Sequence, residues 1–119
     1  MNPTPLADRR CAPCTSDTPA LLPEEVAAYA EQVPGWTVDD NLKVHRSYRF
    51  RDFASGLAFV NRIGEVAEAE DHHPDLFLAW GLVQVTIWTH AINGLSENDF
   101  ILAAKIDALA QDAPGRRGQ

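Results

Sequence analysis

Basic residues are scarce in this chain. Ten Lys and Arg stand against seventeen Asp and Glu, a formal charge of −7 over 119 residues. Nucleic-acid binding relies on clustered Lys and Arg to neutralise phosphates, so that class is disfavoured, as is an anionic membrane surface. Small molecules and other proteins remain as partners. No apolar run approaches the roughly 20 residues of a membrane helix. The opening MNPTPLADRRCAPC lacks the apolar stretch of a secretory leader, so the expected location is the cytoplasm. Internal repeats are absent. Cysteine is limited to Cys11 and Cys14, in CAPC. A zinc ribbon needs a second such pair, and a thioredoxin-like site needs a strand and helix framing the motif; neither is present.

What the sequence does contain is enough for one domain, with 45% hydrophobic residues. Residues 1–20, rich in Pro, Thr, Asp and Arg, are expected as a flexible tail. Pro23 followed by Glu24 and Glu25 marks a helix start, running through VAAYAEQV to Pro34-Gly35. Leu42, Val44, Tyr48 and Phe50 alternate with polar residues, which predicts a strand, paired in a hairpin with Trp36–Val38 across the Asp39-Asp40-Asn41 turn. Asp52 can cap a helix whose apolar stripe is Leu57, Val60, Ile63 and Ala67, widened by Phe59 and Val66. Residues 76–89 predict two strands joined near Gly81. Ser96, with Asp99 three residues on, opens a last helix along Leu102, Ile106 and Leu109, ended by Pro114-Gly115. The predicted fold is α+β in the order α-β-β-α-β-β-α: a four-stranded antiparallel sheet with helices on one face, spanning 21–113, then a frayed tail at 114–119.

The unusual stretch is EDHHP, at 70–74. Three of the four histidines, His72, His73 and His90, fall within 19 residues, beside Glu65, Glu68, Glu70 and Asp71. Acids at a helix C-terminus oppose the helix dipole, a broken local rule of the kind that marks working sites. Crowded carboxylates favour imidazolium, and imidazole both takes and gives protons near neutral pH. From residue types alone three readings stay open: proton-transfer catalysis, a three-histidine zinc site with or without Glu68, and a solvated acidic surface. Neither H-x-x-x-H nor H-E-x-x-H occurs.

The spacing Glu68, His72-His73-Pro74, Trp80, His90, Asp99, within GLAFVNRIGEVAEAEDHHP and THAINGLSENDFILAAKID, resembles the pterin-4a-carbinolamine dehydratases over about residues 21–112. The CxxC tail is also similar to some bacterial members. This resemblance implies dehydration of 4a-hydroxytetrahydropterin to quinonoid dihydropterin, recycling the pterin of an aromatic amino-acid hydroxylase, without metal or cofactor. It implies the four-stranded α+β fold and a dimer or tetramer. His72, His73 and His90 would be catalytic, His73 foremost. Glu68 would bond a histidine or the pterin, Asp99 would support His90, Trp80 would be a wall, and Asp71, Pro74 and Thr89 would support the site. Where some members carry tryptophan two residues after the proline, this chain has Leu76. A non-catalytic alternative within the same resemblance is a binding module: a transcription coactivator or a RuBisCO assembly factor, acting through the sheet edge and helix surface.

Overall fold

The computed structural model describes residues 4–118. Its sheet has the order β1-β2-β4-β3, with β1 (Thr37–Asp39), β2 (Lys43–Phe50), β3 (Asp75–Ala79) and β4 (Leu82–Ile87). All pairings are antiparallel: two hairpins joined by the central β2–β4 ladder. Helices α1 (Pro23–Ala30), α2 (Phe53–Glu70) and α3 (Glu97–Gln111) complete the predicted order. None is long and apolar enough to cross a membrane.

Strand alternation sorts the two sheet faces. Val44, Tyr48 and Phe50 of β2 and Val83, Val85 and Ile87 of β4 are buried under the helices, while Ser47, Arg49 and Gln84 face out. Leu42, expected on the buried face, precedes β2 and is half-exposed. Trp36 also lies just outside β1, but its ring is buried and its indole N–H donates to Asp107 of α3 at 3.0 Å. The β3–β4 turn turns on Gly81. Its φ is +74°, and a Cβ there would stand 3.1 Å from the Phe50 carbonyl oxygen. Glycine answers both constraints.

Helix α2 starts as expected, with Asp52 Oδ1 accepting from the Ser55 N–H at 2.8 Å. Its inner line, however, is Gly56, Phe59, Ile63 and Ala67, and Leu57 is exposed. The reason is Gly56: a Cβ there would meet Leu78 at 3.1 Å and Val83 at 3.4 Å. A side chain there would have to displace the end of Leu78, so glycine lets this face of the helix lie close to the sheet, where Phe59 packs edge-on against Tyr48, centroids 5.0 Å apart.

The ends of the chain differ from expectation. Leu6 is buried, Lys105 Nζ donates to the Ala7 carbonyl at 2.9 Å, and Arg9 pairs with Glu97 at 2.6 Å. Residues 4–14, expected as tail, therefore lie along α3; residues 1–3 fall outside the described part. At the other end, Arg116–Arg117 form a short β5 on β2, Arg49 opposite Arg117, where fraying was expected. The Arg51 N–H donates to the Gly115 carbonyl at 2.8 Å and helps dock this segment.

Candidate active site

Three chain reversals bring the site together. The first is the end of α2. The Asp71 backbone is left-handed (φ +51°), the His72 N–H reaches back to the Ala67 carbonyl at 3.1 Å, and the Asp71 N–H to Glu68 at 3.3 Å. This is a Schellman stop with aspartate in place of the usual glycine. It ejects His72 and His73 from the helix, and Pro74 then steers the chain into β3. The second is the exit of β4. The Thr89 N–H donates to the Gly94 carbonyl at 2.9 Å, closing a loop whose tip is a single 3-10 turn, His90–Ile92. His90 was expected at the strand end, but β4 stops at Ile87 and the turn presents the ring to solvent. The third is the start of α3, where the Ser96 N–H donates to Asp99 Oδ2 at 2.8 Å, the predicted capping contact.

These reversals meet around a cavity of about 280 Å³ lined by Ala12, Pro13, Cys14, Asp71, His72, His73, Trp88, Thr89, His90, Ala91 and Asn98. That is near the lower end of the roughly 300–1,000 Å³ usual for small-molecule sites. All four buried polar residues among those described, Thr89, Ser96, Asn98 and Asp99, lie in or beside its floor.

Asp99 is the centre of that floor and is fully buried. Its Oδ1 lies 2.7 Å from His72 Nε2. Its Oδ2 accepts from the Thr89 hydroxyl and the Ser96 N–H, both at 2.8 Å. The Thr89 and Ser96 hydroxyls are 2.7 Å apart. Asp99 thus supports His72, not His90 as expected. The same carboxylate caps α3 and orients an imidazole 27 residues away, because its two oxygens point to different partners. His73 turns back over the helix end, with Nε2 2.6 Å from Glu68 Oε2. That pair is open to water: the His73 side chain is 53% exposed. His90 takes an aromatic partner instead, its ring centroid 4.2 Å from that of Trp88.

Most of the residues singled out in sequence converge here: His72, His73, His90, Asp71 and Thr89 line the cavity, while Asp99 and Glu68 stand behind the imidazoles. Pro74 shapes the exit without lining it. Trp80 does not join them. It occupies the β3–β4 turn at the far end of the hairpin and is 71% exposed. The register explains this: Asp75 at the site end pairs with Thr86, whereas Ala79 at the far end pairs with Leu82. The aromatic wall is Trp88, which period-two reading placed only as an alternating strand residue. Asn98, Ala12 and Pro13 were also missed, since nothing local distinguishes them as site residues, and Cys14 was noted only as half of the CAPC pair. Glu70, counted among the crowding acids, points away from the cavity. Burial would raise its pKa, but the Cys11 N–H (2.8 Å), Lys105 and Arg10 (3.0 Å) outweigh burial and hold it below the usual carboxylate value. No three His, Cys, Asp or Glu side chains among the described residues are arranged to hold a metal ion.

The family profile for pterin 4 alpha carbinolamine dehydratase matches residues 19–109. A protein of Rubrobacter xylanophilus is 49% identical over 104 residues, covering 87% of this chain and 97% of its own. One of Halorhodospira halophila is 49% identical over 105 residues, covering 87% and 96%. Both carry the provisional name pterin-4-alpha-carbinolamine dehydratase. Among solved structures, a transcriptional coactivator/pterin dehydratase from Brucella melitensis superposes with a TM-score of 0.73 at 35% identity, covering 77% of this chain and 99% of that one. A pterin dehydratase-like RuBisCO assembly factor of the alpha-carboxysome shares the fold alone, with a TM-score of 0.56 at 22% identity, covering 64% of this chain and 89% of its own. In sequence and in fold alike, the chain belongs to the pterin 4 alpha carbinolamine dehydratase family.

Proposed function

We propose that the cavity dehydrates 4a-hydroxytetrahydropterin to quinonoid dihydropterin by histidine acid–base catalysis, serving an aromatic amino-acid hydroxylase. The observation that carries this reading is the convergence of three imidazoles, two of them on carboxylates, at the rim of one small cavity. In the reaction the C4a–O bond breaks. An acid protonates the departing oxygen, which leaves as water, and a base takes a ring-nitrogen proton as the C=N bond forms. Only protons and water move, so side chains that exchange protons near neutral pH suffice. His72, held on Asp99, is the fixed imidazole. His73 and His90 are the exposed ones, free to load and unload protons from solvent, and His73 with Glu68 behind it is the principal candidate. Decay of enzymatically generated 4a-hydroxytetrahydropterin, followed by ultraviolet absorbance, tests this. Acceleration by the wild type that largely disappears in His73→Ala is the expected result; no acceleration by pure wild-type protein sinks the reading.

A protein-contact role is favoured by a different feature. Strand β3 is an edge strand paired with β4 alone among the described residues, and Leu76, Phe77 and Trp80 on or beside it are exposed. An apolar open edge invites pairing with another chain. It suits a homodimer or homotetramer, or a protein client. Light scattering of wild type and Phe77→Lys decides: an unchanged monomer in both removes the self-association.

A further inference from the structure

Residues 9–14 have no regular secondary structure, yet hydrogen bonds from side chains of α2 and α3 hold them in place. Asn98 grips them. The Ala12 N–H donates to Asn98 Oδ1 at 2.9 Å and Asn98 Nδ2 donates to the Ala12 carbonyl at 2.6 Å, the pair of bonds a neighbouring β-strand would supply. Asn98 is buried, as such a doubly engaged amide must be satisfied to be. Its neighbours repeat the pattern: Glu97 holds Arg9, and Glu70 takes the Cys11 N–H and pairs with Arg10. The first turn of α3 therefore carries out two tasks. Asp99 fixes His72, and Asn98, one residue earlier, fixes the strap. What the strap presents to the cavity is Ala12, Pro13 and Cys14, a small, mostly apolar surface. The Cys14 sulfur sits 3.3 Å from Asn98 Nδ2. Cys11 turns the other way, its sulfur 3.7 Å from the Asn98 carbonyl.

We propose that this strap is part of the ligand site: Pro13 and Cys14 contact the bound pterin, and Asn98 is their positioning residue. This rests on the pterin reading above. The planar heterocycle needs apolar walls, and the histidines and Trp88 supply only part of the cavity lining. The strap adds Ala12, Pro13 and Cys14 to that lining.

Alkylation of the two thiols by iodoacetamide, read by peptide mass spectrometry with and without 7,8-dihydrobiopterin, tests the contact on the unaltered protein. Saturating dihydrobiopterin should slow modification of Cys14 about tenfold, since access governs thiol reactivity, and leave the slow reaction of Cys11 unchanged. In parallel, Asn98→Ala should raise KM about tenfold with kcat within about twofold, the signature of lost binding rather than lost chemistry. Wild-type protein that binds dihydrobiopterin and accelerates the dehydration, but whose Cys14 is alkylated at the same rate with and without the pterin, overturns the strap proposal alone. Wild-type protein that does neither overturns the pterin reading, and the strap with it.

Discussion

His72 and Asp99 form a buried couple: Nε2 and Oδ1 are 2.7 Å apart, the imidazole 11% exposed and the carboxylate not at all. The other carboxylate oxygen is already committed to the Thr89 hydroxyl and the Ser96 N–H. The Ser96 N–H is a donor only, so in Asp99→Asn the carboxamide oxygen must stay with Ser96 and its NH₂ must face His72. That forces His72 into the opposite tautomer. The expected result is a fall in kcat of about 10²-fold with the near-ultraviolet dichroism of the fold retained. Asp99→Ala removes the cap and the buried partner together and should cost about 3 kcal/mol in urea unfolding.

His73 and His90 have little structural work, because both rings face solvent. Alanine at either position should change unfolding free energy by less than about 1 kcal/mol. Each should nonetheless lower kcat by about 10²–10⁴-fold if it exchanges a proton in the reaction. Stopped-flow absorbance beside urea titration separates the two effects. Equal activity in wild type and both variants would dismiss them as catalysts.

Asp107 joins α3 to the sheet. It accepts from Trp36 Nε1 at 3.0 Å, Arg46 Nη1 at 2.9 Å and the Tyr48 hydroxyl at 2.5 Å. Asp107→Ala strands the hydroxyl and indole donors of two buried rings and should cost about 2–4 kcal/mol. Adding Tyr48→Phe removes one stranded donor, so the double variant should lose less than the sum by about 1 kcal/mol. Strict additivity in a double-mutant cycle would contradict the network.

Alkaline conditions should weaken the fold from about pH 9. Burial, then the nearby Glu70 carboxylate, pushes the Cys11 thiol up from 9.0 to about 12. Burial and then Asp107 also raise Tyr48 above its ordinary 10.0. Between pH 9 and 12 the unfolded chain has released the Cys11 proton while the folded chain keeps it. Stability is therefore fully present below pH 9 and falls as pH rises through that window. The urea midpoint should decline across it, and Cys11→Ala should flatten the decline between pH 9 and 10, where Tyr48 has yet to contribute. An identical slope in both proteins would assign the effect elsewhere.

Much of the fold was legible because its signals are local. The Asp52 cap, the Ser96 and Asp99 pair, the turn at Gly81 and the two-residue alternation of β2 and β4 all depend on partners within four residues or on a fixed period. Where a local signal met a tertiary one, the tertiary one prevailed. Leu57 lost its place in the stripe to Gly56, because the approach of α2 to Leu78 and Val83 sets the rotation of the helix.

Which residue types gather near the site follows from local signals, since histidines and acids at the stop of one helix and the start of another carry their positions with them. How they pair follows from long-range packing. Trp88 and not Trp80 is the wall because the hairpin register sends the two rings to opposite ends of β4. Asp99 serves His72 and not His90 because the second oxygen of a capping carboxylate is free to meet whatever packing places above it. The strap at 9–14 reaches the cavity wall through side-chain contacts across 59 to 88 residues of chain, and contacts of that span obey no local period.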